Sequence, residues 1–417
     1  MNSLRPSNEP AADLDEASRV EVPRVFRPQR ALPADAVRPT RAEVNLANLR
    51  HNLRVAQRAA PGAAIWGVLK ADGYGHGSKA VARTLERAGM SGVCVALLEE
   101  GIELREAGIQ LPILIMGGYY GRAWAELVRH ELTPVLHEES QVRLLADELR
   151  HAGVAGFKVH LKIDTGMSRL GVLPDAVEQV GELVRSRPEI ALEGLMTHLS
   201  NADSGDAASV DRQLQLFSRA RATLQSLGLE PRALHAANSA ALLGYPSARY
   251  SMVRPGIALF GVDPCAPTAL AAFPERSGEL RPVMRVRTEV VALRKLSPGT
   301  PVGYGGSFRA SRLSVIATIP MGYADGLSRG LSNVGHVLVR GTRAKIVGAV
   351  SMDMTMIDVT DAPGVQLGDE CVILGHQKGP CGEDAIGARE IADQLRSIPW
   401  EVLTSISRRV PRFYREP

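Results

Sequence analysis

Along residues 42–262, short apolar runs alternate with longer stretches in which apolar positions recur three and four apart. The runs fall at 64–69, 92–97, 112–116, 132–136, 157–163, 192–197 and 232–236, with an eighth at 250–253 or 257–260. Between them, 78–88, 99–107, 138–151, 174–185 and 211–227 carry the period of an amphipathic helix. Short apolar runs bounded by turn-forming residues read as buried strands. Eight such strands, mostly separated by single helices, in about 220 residues match a TIM-type (β/α)8 barrel, where each parallel strand is reached through a crossover. A doubly wound open sheet is the competing arrangement for the same alternation.

After about residue 285 the period changes. Runs at 284–293, 313–319, 336–339, 344–350, 354–359 and 370–374 are short, β-type and separated by Gly, Pro and Asp turns, which predicts a mainly β domain. The tail, 388–407, has a helical pattern interrupted at Pro399. Residues 1–40 hold six prolines and Phe26 as their only aromatic, too little apolar surface to bury, and read as a flexible extension. Asp13, Asp15, Glu16 and Glu21 argue against a transit peptide, a class that avoids acidic residues. The expected organisation is therefore an α/β chain: an extension at 1–40, a barrel at 41–283, and a β domain with a terminal helix at 284–417.

Composition narrows the function classes. With 45% hydrophobic and 23% charged residues the chain is an ordinary globular one, and its +4 net charge is interspersed, without a basic run carrying aromatics. No nucleic-acid partner is expected. Nor is a membrane partner, since no apolar stretch reaches the roughly 18–20 residues of a spanning helix. Cys94, Cys265, Cys371 and Cys381 show no CxxC pair or zinc spacing, so buried thiols in a reducing compartment are expected and no metal site. The reading is a cytoplasmic enzyme.

The densest candidate chemistry is the segment 67–77, GVLKADGYGHG, which closes the first expected barrel strand on Lys70 and runs through glycines into a helix. Barrel active sites sit at the C-terminal strand ends, and glycine amides at a helix start suit an anion. It is not a Walker loop, because the lysine precedes the glycines. A lysine so placed can form a Schiff base, but acting as a base near neutrality requires its pKa of about 10.4 to fall. Strand five runs into Lys162, Asp164 and Arg169, strand six ends at His198, strand seven leads to His235, Asn238 and Ser239, and strand eight to Arg254, Gly256 and Ile257. Each has a bland alternative: a core histidine for His198, a surface ion pair for Arg169, a helix cap for Asn238. Polar groups at four successive strand ends favour a shared site.

At these residues the sequence closely resembles the alanine racemases, barrel-type pyridoxal phosphate enzymes. The motifs run from KADGYGHG at 70–77 through 164–171, 235–239, 254–261, VGYG at 302–305, GYADG at 322–326 and SMD at 351–353 to RVPR at 409–412. The resemblance implies that Lys70 carries pyridoxal phosphate and is one catalytic base. It implies that Tyr304 is the other, supplied by the partner of a homodimer with shared active sites, with His198 and Arg254 beside it. Arg254 is then expected at the pyridine nitrogen. Tyr74, Ser239, Gly256 and Ile257 match phosphate-binding positions, with Asn238 next to them. Arg169 matches a residue near the cofactor's phenolic oxygen and the substrate, and Lys162 a lysine carbamylated in some members. Tyr323, Met352 and Asp353 match substrate-side positions from the partner chain. Trp400 stands where members usually carry a phosphate-contacting tyrosine, a departure that bears on cofactor affinity and substrate size. The implied activity interconverts L- and D-alanine and supplies D-alanine for peptidoglycan. The alternatives weighed are a broader racemase of serine or basic amino acids, an amino-acid decarboxylase, and a cofactor-binding module without catalysis.

Overall fold

A computed structural model describes residues 37–118, 123–265 and 279–416 of the chain. The greater part of the expected N-terminal extension lies outside them. Each apolar run of the first half forms a strand within two residues of its expected ends. They are Ala64–Val68, Gly92–Val95, Ile113–Ile115, Leu132–Leu136, Phe157–Lys162, Ile190–Met196, Ala233–His235 and Met252–Val253. The other candidate for the eighth, Ile257–Phe260, is a turn of 3-10 helix. Neighbours in sequence are neighbours in the sheet, every pair is parallel, and the first strand pairs with the eighth through Ala64↔Met252 and Ile65↔Val253. The seventh and eighth meet through Arg254 N–H to the Ala237 carbonyl at 3.0 Å and Leu234 N–H to the Ser251 hydroxyl at 2.8 Å. The sheet thus closes on itself, and the open-sheet alternative falls away.

The helix Leu46–Ala59 precedes the first strand and was not expected from the pattern. It buries Leu46, Leu49, Leu53 and Ala56 on one face, and Asn45 caps it by accepting from Asn48 N–H at 2.9 Å.

The second domain is a ten-stranded sheet. Its path runs Ala292–Leu296, Ser314–Ile319, Thr355–Asp358, Thr342–Ile346, His336–Val339, Glu370–Gly379, Met284–Glu289, Arg41–Asn45 and Arg412–Arg415, with Gly382–Ile386 paired onto Glu370–Gly379. Two expectations are corrected here. Arg41–Asn45 was assigned to the barrel, yet it pairs with Met284–Glu289, so the chain enters the β domain before the barrel. The single terminal helix is two, Ala388–Leu395 and Pro399–Ser405, with Pro399 tolerated in the first turn where its missing N–H costs nothing. The last element is the strand Arg412–Arg415, parallel to Arg41–Asn45.

Glu43 binds these strands together. Its buried carboxylate accepts from Arg41 at 3.1 Å, Arg285 at 3.3 Å, Arg287 at 2.9 Å and Arg415 at 2.6 Å. All four cysteines are free. Among the described residues no helix is long and apolar enough to cross a membrane.

Candidate active site

Lys70 leaves the first barrel strand on a turn of the wrong hand. Ala71, Asp72, Gly73 and Tyr74 take φ of 52, 55, 61 and 51°, a left-handed helical turn. Such backbone costs roughly 1–2 kcal/mol for each non-glycine residue, so neighbours must hold it. Glu100 accepts from Ala71 N–H at 2.6 Å, and Asp72 accepts from Ser78 N–H at 2.9 Å. His76 places Nδ1 3.0 Å from the Gly73 carbonyl and 2.9 Å from that of Tyr74. From the terminal strand, Arg412 donates to the Gly75 carbonyl at 2.9 Å and Tyr414 to that of His76 at 3.2 Å. Gly75 itself is required: a Cβ there would overlap the Leu403 carbonyl, on the helix that carries Trp400. The β domain therefore fixes the loop bearing Lys70 and Tyr74.

The other strand ends surround this loop with positive charge. Burial, then the nearby Arg169, pulls the Lys70 pKa below its ordinary value, while Glu100 opposes them. Burial with Arg169 and Arg254 brings Lys162 down to about 8. His198 falls to about 3 through burial and the charges of Arg254, Lys162, Arg169 and Lys70, so it is neutral at physiological pH. Four basic residues thus act on one neutral imidazole, a balance of charge suited to an anionic ligand.

Arg254 lies inside the barrel. It donates to the Thr197 carbonyl at 2.8 Å and to His235 Nδ1 at 2.7 Å. Burial draws its pKa down to about 10, which leaves it a cation. An arginine can only donate, so His235 carries its proton on Nε2, and that nitrogen lies 2.8 Å from His160 Nδ1. A chain Arg254–His235–His160 results, with room for the last ring because residue 194 is glycine. His160 was missed by the sequence reading. Its signal was period-two spacing from Lys162, which puts both on the inner face of strand five.

These histidines make a pH prediction. Burial lowers His76 to about 4 and, with Arg254, His160 to about 3, against about 6.5 in an unfolded chain. The unfolded state therefore binds more protons below about pH 6.5, and each histidine removes about 1.4 kcal/mol of stability per pH unit down to its folded pKa. The urea midpoint should fall between pH 6.5 and 5, before carboxylates titrate. An unchanged midpoint would contradict their neutral burial.

A second group meets just beyond strands seven and eight. The Ser239 hydroxyl accepts from Gly256 N–H at 2.8 Å and Ala258 N–H at 3.3 Å. The Tyr74 hydroxyl occupies the space a Cβ on residue 256 would need, so a side chain there would displace the phenol. Ile257 begins the 3-10 turn directly after it. Asn238 acts as a cap, accepting from Ala241 N–H at 2.9 Å, which is the bland alternative considered for it. Arg169 stands exposed on the 164–171 loop, where Asp164 accepts from the amides of Gly166, Met167 and Ser168 at 2.8, 2.9 and 3.1 Å.

Tyr323, Met352 and Asp353 form a separate group on the β domain, which also carries Tyr304 on the turn 304–306. Tyr304 is 78% exposed and Met352 52%. Tyr323 N–H donates to the Ser351 carbonyl at 3.0 Å and Ala324 N–H to that of Met352 at 3.1 Å, which joins their two loops. Trp400 is half-buried on Pro399–Ser405.

Family models for the alanine racemase N-terminal domain and C-terminal domain match residues 44–264 and 283–414. An alanine racemase of Sorangium cellulosum is 57% identical over 387 residues, 91% of this chain and all of that one. The solved alanine racemase of Clostridium difficile 630 superposes with a TM-score of 0.83 at 34% identity, covering 91% of this chain and 97% of its own. That of Bartonella henselae, solved with covalently bound pyridoxal phosphate, gives 0.80 at 28% identity, covering 90% and 99%. Barrel, β domain and sequence thus agree, and the chain belongs to the alanine racemases, isomerases that interconvert the enantiomers of alanine.

Proposed function

We propose that this chain racemises alanine with pyridoxal phosphate held by Lys70, in a homodimer whose two sites each draw residues from both subunits. The observation that carries this reading is the convergence of Lys70 with the Tyr74–Ser239–Gly256 cradle inside a cationic pocket. A lysine of lowered pKa is a better nucleophile toward an aldehyde, and a hydroxyl–amide cradle with nearby cations suits a phosphate. Bound there, the cofactor supplies the electron sink that makes the substrate's α-proton removable.

The chain's own groups do the rest. Inversion removes a proton from one face and returns it on the other, so two acid–base groups must flank the α-carbon. We assign one face to Lys70 and the other to Tyr304. Tyr304 stands mostly in water on its own chain, as expected of a group that closes over a neighbour's barrel. His198, neutral, and Arg254, cationic, are assigned to the Tyr304 side. Arg254 keeps its proton, so a ring nitrogen facing it stays unprotonated, which limits transamination. Arg169 is assigned to the phenolic side of the cofactor and to the substrate. Near pH 8 the neutral Lys162 amine can attack carbon dioxide, forming a carbamate and releasing a proton to solvent. The carbamate would balance Arg169. The setting proposed for this activity is the cytoplasm, with D-alanine passed to peptidoglycan synthesis.

The test is racemisation of an L-amino-acid panel by chiral separation, on this protein and on Trp400→Tyr. Alanine should convert fastest in both, without release of carbon dioxide. Trp400→Tyr should bind the cofactor about tenfold or more tighter, the worth of one regained hydrogen bond to a charged group. Serine or lysine converting as fast as alanine would overturn the substrate assignment. An unchanged cofactor affinity would show that the indole position does not limit binding.

A further inference from the structure

The loops bearing Tyr323 and Asp353 are held by a group of charges that includes the first described residues of the chain. Asp325, fully buried, lies two residues after Tyr323. Its carboxylate accepts both prongs of Arg38, at 2.8 and 3.0 Å, and Gly322 N–H at 3.1 Å. Arg38 also donates to the Arg409 carbonyl at 3.2 Å. Arg409 in turn reaches Asp325 at 3.5 Å and donates to Asp353 at 2.6 Å. Two residues on, the Thr40 hydroxyl donates to the Pro320 carbonyl at 2.7 Å. Segment 38–40 is thus a strap across the turn that presents Tyr323.

The turn and the Asp353 loop are packed and hydrogen-bonded together. A Cβ on Gly322 would overlap the carbonyls of Ser351 and Met352, and the amides of Tyr323 and Ala324 donate to those same carbonyls. A buried carboxylate is costly unless paired and hydrogen-bonded, and a two-pronged arginine contact fixes direction as well as charge. Without Arg38, the Asp325 carboxylate keeps, among the described residues, Gly322 N–H and the longer contact to Arg409. Arg409, already shared between this buried carboxylate and the half-exposed Asp353, is then drawn toward Asp325, which weakens its hold on Asp353.

We propose that Arg38 is a positioning residue for substrate binding: through Asp325 and Arg409 it sets Tyr323 and Asp353, and so tunes the alanine KM of the neighbouring subunit's site. This rests on the shared-site reading above, and the test separates the two.

Mixed dimers of a Lys70→Ala chain and a Tyr304→Phe chain contain one competent site. Its barrel comes from the Tyr304→Phe chain, and its Tyr304, Tyr323 and Asp353 from the Lys70→Ala chain. Arg38→Ala is placed on one chain or the other. On the Lys70→Ala chain it should raise KM about tenfold with kcat within about twofold, and on the other chain it should leave both unchanged. Arg38→Lys on the Lys70→Ala chain, with charge but no fork, should fall between. Both mixed dimers carry one Arg38→Ala chain, so a loss of stability alone cannot produce the difference. An unchanged KM in the first arrangement, or an equal rise in both, would overturn the assignment of Arg38. No activity in any mixed dimer despite demonstrated exchange would overturn the shared-site reading, and this inference with it.

Discussion

Replacing Lys70 with alanine should lower racemisation of alanine by at least about four orders of magnitude, because in the proposed reading one substitution removes both the cofactor's covalent anchor and one acid–base group. The loop fixes Lys70 by contacts that do not use its side chain. Ala71 is bound by Glu100, Gly75 by Arg412, and the carbonyls of Gly73 and Tyr74 by His76. The left-handed turn therefore survives the substitution, and the urea midpoint should change little. The truncation also removes a partly buried amine held below its ordinary pKa by burial and Arg169. Residual activity above about one per cent, in a protein with an unchanged unfolding midpoint, would mean that another group supplies the base.

Tyr304→Phe is expected to lower kcat by about two to four orders of magnitude while cofactor binding and stability stay as they were. The phenol is 78% exposed on its own chain, and losing one exposed hydroxyl leaves no buried group unsatisfied. Every residue assigned to the phosphate lies in the barrel or on Pro399–Ser405, away from the 304 loop. A fall in cofactor affinity matching the fall in kcat would contradict the division of labour between barrel and β domain. So would a kcat within about tenfold of the parent protein.

The barrel was legible because its strands are largely buried and read as continuous apolar runs, most of them followed by a helical period. The residues at its strand ends were legible for a related reason: parallel topology carries every strand's C-terminal end to the same side. What stayed hidden depends on distant pairing. Arg41–Asn45 looks like the start of the barrel until its register with Met284–Glu289 is seen, and nothing local encodes that partner. The two terminal helices were read as one interrupted pattern, and the strand after them went unread because its parallel partner lies at the other end of the chain.

Within the site, the left-handed turn at 71–74 defeats propensity, since alanine, aspartate and tyrosine all disfavour positive φ. It exists because Glu100, His76 and Arg412, from three different elements, hold it. The Arg254–His235–His160 chain was hidden for a similar reason, because its members come from three strands and meet only when the barrel closes. The motifs that carry the family resemblance supplied the residues assigned to the site. They include Asp325, in GYADG, but not its partner Arg38, which lies 287 positions away.

The two-base account is tested most directly by α-proton exchange of Tyr304→Phe in deuterium oxide, with L- and D-alanine supplied separately. One face of the α-carbon keeps Lys70, so one enantiomer should take up deuterium with retention while neither is inverted at more than a trace rate. Deuterium entering both enantiomers equally, or inversion continuing at the parent rate, would contradict the placement of one base on each face.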